Sequence, residues 1–329
     1  MRGHSRPLSV AYVEQFHVSK ECRMNRATSM MSMVVSSAGA LVAAHTASGQ
    51  PLDAGAPSAD PVPGFRSVDI GGRSLRYMCA GEGTPTVLIE PGGGVSLETV
   101  LSWEKPIGWA IVFSEIRKVT RVCAADRAGL GRSDKAPLPR TSLDVARDLH
   151  ALLAKAEIAP PYVLAGQSFG GMNVRMFASL YPNTVAGMVL VDSSHPDAYP
   201  EVAKVLPPPS PGESRVLKGW REGPDLSKSR EWVDLKANAD LVRATGGIGD
   251  KPLIVLTASP DWNDPFAPDD VEPLIDAVHQ RLQSELLHLS SNSKQIIAKK
   301  AGHVIQAEEP QLVIDAILDV VAQVRASTE

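Results

Sequence analysis

Residues 162–172 read YVLAGQSFGGM, a buried-strand pattern that passes directly into the start of a helix. Ser168 stands between Gly166 and Gly170 at the junction. Where a parallel strand turns sharply into a helix, the central side chain is pushed out beyond the carboxyl edge of the sheet, where ligands bind. The backbone there is strained, and residues two positions away must be very small. Gly166 and Gly170 meet that need. The helix that follows offers its first amides and the positive end of its dipole to a developing anion. Gly-X-Ser-X-Gly recurs by chance in glycine-rich chains, but between a strand and a helix it describes a nucleophile elbow.

The elements on either side share one rhythm. FRSVDIGGRSLRYMCAG reads as a hairpin turning at Gly71-Gly72. TPTVLIEPGGG is a buried strand entering a glycine-rich loop, and VTRVCAAD is another strand. In TSLDVARDLHALLAKAEI, Leu143, Ala146, Leu149 and Leu153 line one helical face, and Thr141 or Ser142 can cap it. A helix after the elbow stops at Pro182, and VAGMVLVD and PLIVLTAS are strands. KQIIAKKAGH is a last short strand and PQLVIDAILDVVAQVRA a closing amphipathic helix. Strands apolar throughout and separated by helices predict an α/β fold, a mostly parallel doubly wound sheet with an initial antiparallel hairpin. Residues 196–250 break the rhythm with PPPSPG and a helix candidate around Trp232, Leu235 and Leu241. They read as a small helical lid insertion between core segments 65–195 and 251–329.

The chain has 329 residues, 43% hydrophobic and 21% charged, with a net charge of −4. That lacks the basic excess a nucleic-acid partner requires. Three cysteines form neither a disulfide framework nor a metal cluster. Residues 1–49 differ from the rest. A basic stretch with Lys20, Arg23 and Arg26 precedes an uncharged run from Ala27 to Gln50. That order describes a secretory signal, of ordinary length if translation starts at Met24 or Met30. The alternative is a disordered tail, or a misassigned start, on a cytoplasmic protein. With the signal real, the product is exported, periplasmic or secreted, with no stable membrane insertion after processing. Residues 50–64 are a Pro/Ala/Gly linker.

Beyond the elbow, the chain resembles the α/β-hydrolase superfamily, esterases and lipases with a lid, over about residues 65–325. VLIEPGGG stands where that family has its oxyanion loop, with Pro91-Gly92 in place of the usual His-Gly. VCAADRAGLGRSDKA matches its strand-four segment, and AGHVIQAEEPQLV its histidine loop. DRAGLGRSDKA lacks the Gly-Lys-Ser/Thr ending of a phosphate loop and reads as a tight turn. The resemblance also sets Cys79 and Cys123 on neighbouring strands. In an exported protein they could pair, but the geometry demanded of such a disulfide favours two buried thiols.

A serine hydroxyl needs a base within hydrogen-bond reach, and the base needs an orienting carboxylate. The family order of nucleophile, acid and histidine makes His303 the base for Ser168. His279 and His288 fall within helical patterns, where a surface or half-buried role is expected. For the acid, the family offset favours Asp261, with Asp264 close behind. Asp192 at the end of the preceding strand is the alternative. The backbone amides of Phe169 and Gly93 are the expected oxyanion donors. The implied activity is hydrolysis of a small-molecule carboxylic ester through an acyl-enzyme, with no metal or organic cofactor required. Perhydrolysis, lactone opening, carbon–carbon hydrolysis and non-catalytic ligand binding are the alternatives. Serine at 168 argues against epoxide opening and dehalogenation, which use an aspartate there in this family. Trp220, Trp232 and Trp262 either wall an acyl pocket or form the insertion's own small core.

Overall fold

The computed structural model describes residues 64–101, 108–260 and 267–327. Contacts divide the chain into Met1–Val62 and Pro63–Glu329, and the expected signal and nearly all of the linker lie outside the described residues.

The hairpin strands are β1 (Arg66–Asp69) and β2 (Ser74–Ala80). Gly71 and Gly72 both take φ 99° at the turn, where Asp69 Oδ1 accepts both of their amides. That left-handed backbone is open to glycine at no steric cost. There follow β3 (Thr86–Glu90), α1 (Leu97–Val100), α2 (Ala110–Ile116) and β4 (Val122–Ala125). Next come α3 (Ser142–Lys155), β5 (Tyr162–Gln167), α4 (Phe169–Leu180) and β6 (Val185–Val191). Between β6 and β7 (Leu253–Thr257) lie α5 (Ala198–Val205), α6 (Arg215–Glu222) and α7 (Leu235–Arg243). The chain closes with α8 (Glu272–Glu285), β8 (Ser293–Ile297), α9 (Ile305–Glu308) and α10 (Pro310–Ala326).

The eight strands lie in the order β1-β2-β4-β3-β5-β6-β7-β8. β1/β2 and β2/β4 pair antiparallel, and every other pair is parallel. β3, β5 and β7 are buried along their whole length, as strands covered on both faces must be. Thr141 and Asp144 form a reciprocal capping box at the start of α3, and Pro310 opens α10, where its missing amide costs nothing.

The sheet corrects the expectation of two free thiols: Cys79 and Cys123 are joined in a disulfide. They are direct partners in the β2–β4 register, with Cα atoms 4.1 Å apart. Directly opposite antiparallel residues bring their Cβ atoms close enough to bridge.

The segment read as an insertion contributes to two packing regions. Val242 of α7 joins the main core. Val202 and Leu206, from α5 and its end, cluster with Ile275, Val278 and Leu282 of α8, and Leu217 and Trp220 of α6 pack against them. Trp220 therefore belongs to a small satellite core, while Trp262 lies outside the described residues. Among the described residues, no helix is long and apolar enough to cross a membrane.

Candidate active site

The parallel strands deliver their carboxyl ends to one edge of the sheet, and the candidate residues gather there. Ser168, between β5 and α4, has φ 53° and ψ −126°, a strained conformation for a residue with a side chain. Its glycine neighbours are required by close approach. A methyl group on Gly166 would lie 2.7 Å from the Gly170 carbonyl oxygen, and one on Gly170 only 2.0 Å from that of Glu90. The turn is tied into the sheet through Ser168 N–H to the Val191 carbonyl (3.3 Å) and Ser194 N–H to the Ser168 carbonyl (3.0 Å).

The glycine loop after β3 lies against this turn. A methyl group on Gly92 would approach Ser168 Cβ to 3.3 Å, and one on Gly93 would approach Phe169 Cβ to 3.8 Å. Phe169 is the first residue of α4, so its amide has no partner within the helix. The orientation of the Gly93 amide follows from Arg127. That buried guanidinium donates to the carbonyls of Pro91 (2.8 Å) and Gly92 (2.6 Å). In a trans peptide plane the carbonyl and the next amide point in opposite directions. Anchoring the Gly92 carbonyl on Arg127 therefore aims the Gly93 N–H away from the guanidinium.

Arg127 is held by two buried carboxylates, Glu90 at 2.8 Å and Glu231. Burial pushes Glu90 above the ordinary carboxylate range against the pull of Arg127, and the Glu231 charge adds to the push. Asn173 on α4 also donates to Glu90, at 3.0 Å. Glu231 accepts the Gly94 amide at 2.8 Å and so ties the segment between β6 and β7 to the glycine loop. Removing one partner of a buried charge network leaves the others uncompensated. Glu231→Ala is expected to lower the unfolding free energy measured in urea by about 3 kcal/mol. A loss under about 1 kcal/mol, typical of an exposed pair, would contradict this account of the loop.

His303 lies in the loop between β8 and α9 and is half-buried. Its Nδ1 is 2.6 Å from Asp192 Oδ2. Its Nε2 is 3.3 Å from the Nε2 of Gln167, the residue before Ser168, and Gln167 also donates to the His303 carbonyl at 3.1 Å. The base candidate is thus docked beside the elbow. Asp192 follows β6 directly, is 2% exposed, and has a left-handed backbone at φ 42°. Its Oδ1 accepts Ala258 N–H at 2.9 Å and faces His279 Nε2 at 2.8 Å. Burial raises this carboxyl, but His279 and His303 together bring it well below the ordinary range. With Asp192 ionised, His303 Nδ1 carries a proton and Nε2 is left as the acceptor. Asp261 and Asp264 lie outside the described residues. His195, downstream of β6, accepts the Asp197 amide, and burial lowers it to about 4 with help from the Arg175 charge.

The sequence matches the alpha/beta hydrolase fold family over residues 85–273. The chain belongs to the α/β-hydrolase family. A relative in Bacillus subtilis, the uncharacterized protein YqjL, is 29% identical over 71% of this chain and 83% of its own length. A 2-hydroxy-6-oxo-6-(2'-aminophenyl)hexa-2,4-dienoic acid hydrolase of Metapseudomonas resinovorans is 30% identical over 39% of this chain and 42% of its own. Among solved structures, an esterase from Thermogutta terrifontis superposes with a TM-score of 0.53. It shares 21% identity, covering 80% of this chain and 99% of that one. This α/β-hydrolase presents its candidate residues where the fold binds ligands.

Sequence reasoning missed the roles of Gln167, Glu231 and His279. Gln167 stood in the variable position of the motif. Glu231 fell within the helix candidate around Trp232, and its contact with Arg127 spans 104 positions. His279 sits on a helix whose packing against the end of β6 has no local signature.

Proposed function

We propose that this protein is a serine hydrolase that cleaves carboxylic esters of small or medium size through an acyl-enzyme. The observation that carries the reading is the 2.6 Å hydrogen bond from His303 to Asp192, formed beside a strained serine elbow. Ser168 attacks the acyl carbon while His303 Nε2 takes its proton. Asp192 fixes the imidazole by its Nδ1–H and stabilises the cation that forms. The Phe169 and Gly93 amides receive the oxyanion. His303 then protonates the departing alcohol, and water, deprotonated by the same histidine, releases the acid and restores Ser168.

The three helices between β6 and β7 are proposed to act as the lid, with Glu231 tying that segment to the glycine loop. Export is proposed from the basic-then-apolar N-terminal stretch, and the Cys79–Cys123 disulfide supports an oxidising compartment. The function is tested with p-nitrophenyl esters of graded acyl length. Saturable turnover that is strongest for short or medium chains is expected. The absence of turnover across the panel and on lactones would favour the ligand-binder alternative.

A further inference from the structure

Asp192 has two histidine neighbours, one on each carboxylate oxygen. His303 Nδ1 lies 2.6 Å from Oδ2, and His279 Nε2 lies 2.8 Å from Oδ1. They reach it from different elements: His303 from the loop after β8, His279 from α8. Asp192 is ionised and can only accept, so His279 donates through Nε2–H. Orienting a base requires one carboxylate oxygen. The second imidazole does two further things. Together with the Ala258 amide on the same oxygen, it fixes the rotation of the carboxylate about its last torsion, so that Oδ2 stays aimed at His303. It also draws negative charge toward Oδ1, so that less of it faces His303.

We infer that His279 is a positioning residue for the catalytic acid, holding the Asp192 carboxylate through Nε2–H and setting the pH at which His303 becomes an active base. The inference rests on the proposed role of Asp192. Among the described residues, the charged and titratable groups placed around His279 come from three elements. Asp276 lies one turn earlier on α8, with Glu272 another turn back; Asp192 follows β6; His303 follows β8. Removal of the ring concentrates charge on Oδ2 and strengthens the hold of His303 on its proton. The acidic limb of the rate profile should then move to higher pH.

The test uses the full chain with His279→Phe, His279→Gln and Asp192→Asn. A glutamine Nε2 can stand near the place of the imidazole Nε2 and donates without titrating. The readouts are kcat and KM for p-nitrophenyl acetate and the rate of fluorophosphonate labelling, from about pH 5 to 9, with thermal melts to establish folding. His279→Phe is expected to lower kcat about tenfold, the worth of a charge-assisted hydrogen bond, with KM within about twofold. Its acidic limb should rise by about half a pH unit or more. His279→Gln is expected to restore kcat to within about threefold of the unmodified protein. An unchanged kcat and acidic limb in His279→Phe, with Asp192→Asn inactive, would overturn the role of His279 alone. So would a folded His279→Gln as slow as His279→Phe, since that describes a space-filling ring. An active Asp192→Asn would overturn the acid assignment, and the inference with it.

Discussion

Ser168→Ala is expected to lower kcat on p-nitrophenyl esters by about a millionfold, with the far-ultraviolet circular dichroism unchanged. The fold should tolerate the change because the turn is held by backbone. The Ser168 amide and carbonyl are bonded to Val191 and Ser194, and the tight approach is made by Gly166 and Gly170. What disappears is the hydroxyl proposed to form the acyl bond. The residual rate should be what the oxyanion donors and binding supply on their own, about 10³ to 10⁴ over water. Steady-state kinetics beside the circular dichroism spectrum check it. Turnover within about a hundredfold of the unmodified protein would exclude a serine nucleophile at this position.

The second large effect is expected at Asp192. Asp192→Asn should lower kcat by about 10⁴ with little change in KM. An asparagine amide offers His303 either a nitrogen that cannot accept its Nδ1–H or an oxygen without the charge that stabilises the imidazolium. In the first case the ring loses the tautomer that catalysis needs, and in the second the charge that stabilises its cation. The backbone should survive, because asparagine tolerates the left-handed conformation seen at φ 42°. The paired change Asp261→Asn is expected to leave kcat within about threefold, as for a carboxylate outside the triad. The same carboxylate predicts an acid-sensitive fold. Its folded pKa is depressed, so its contribution is present above its unfolded value of about 4 and is lost as the pH falls toward the folded one.

The legibility of these features in the sequence tracks the range of the interactions behind them. Runs such as YVLAG and PLIVLTAS announced buried strands because a parallel sheet covered on both faces permits no polar alternation. Ser168 was legible because a strand-to-helix turn imposes small residues at fixed offsets, a purely local constraint. The place of His303 beside the elbow was legible from its order in the chain. The carboxylate that meets His303 was not, since β6 and β7 are parallel neighbours and bring both of their carboxyl ends to the same edge. Choosing between them requires the direction of a side chain, which at Asp192 depends on one left-handed residue. Cys79 and Cys123 needed a register before their pairing could be seen. Glu231 needed the packing of a segment that reads as an insertion.

The most direct test of the account is the site of covalent capture. The full chain is treated with a fluorophosphonate, digested, and mapped by mass spectrometry. The adduct is predicted on the peptide that carries Ser168. Labelling should be abolished by Ser168→Ala and slowed at least about a thousandfold by His303→Ala. An adduct on another residue, or a His303→Ala variant that labels at the unmodified rate, would contradict it.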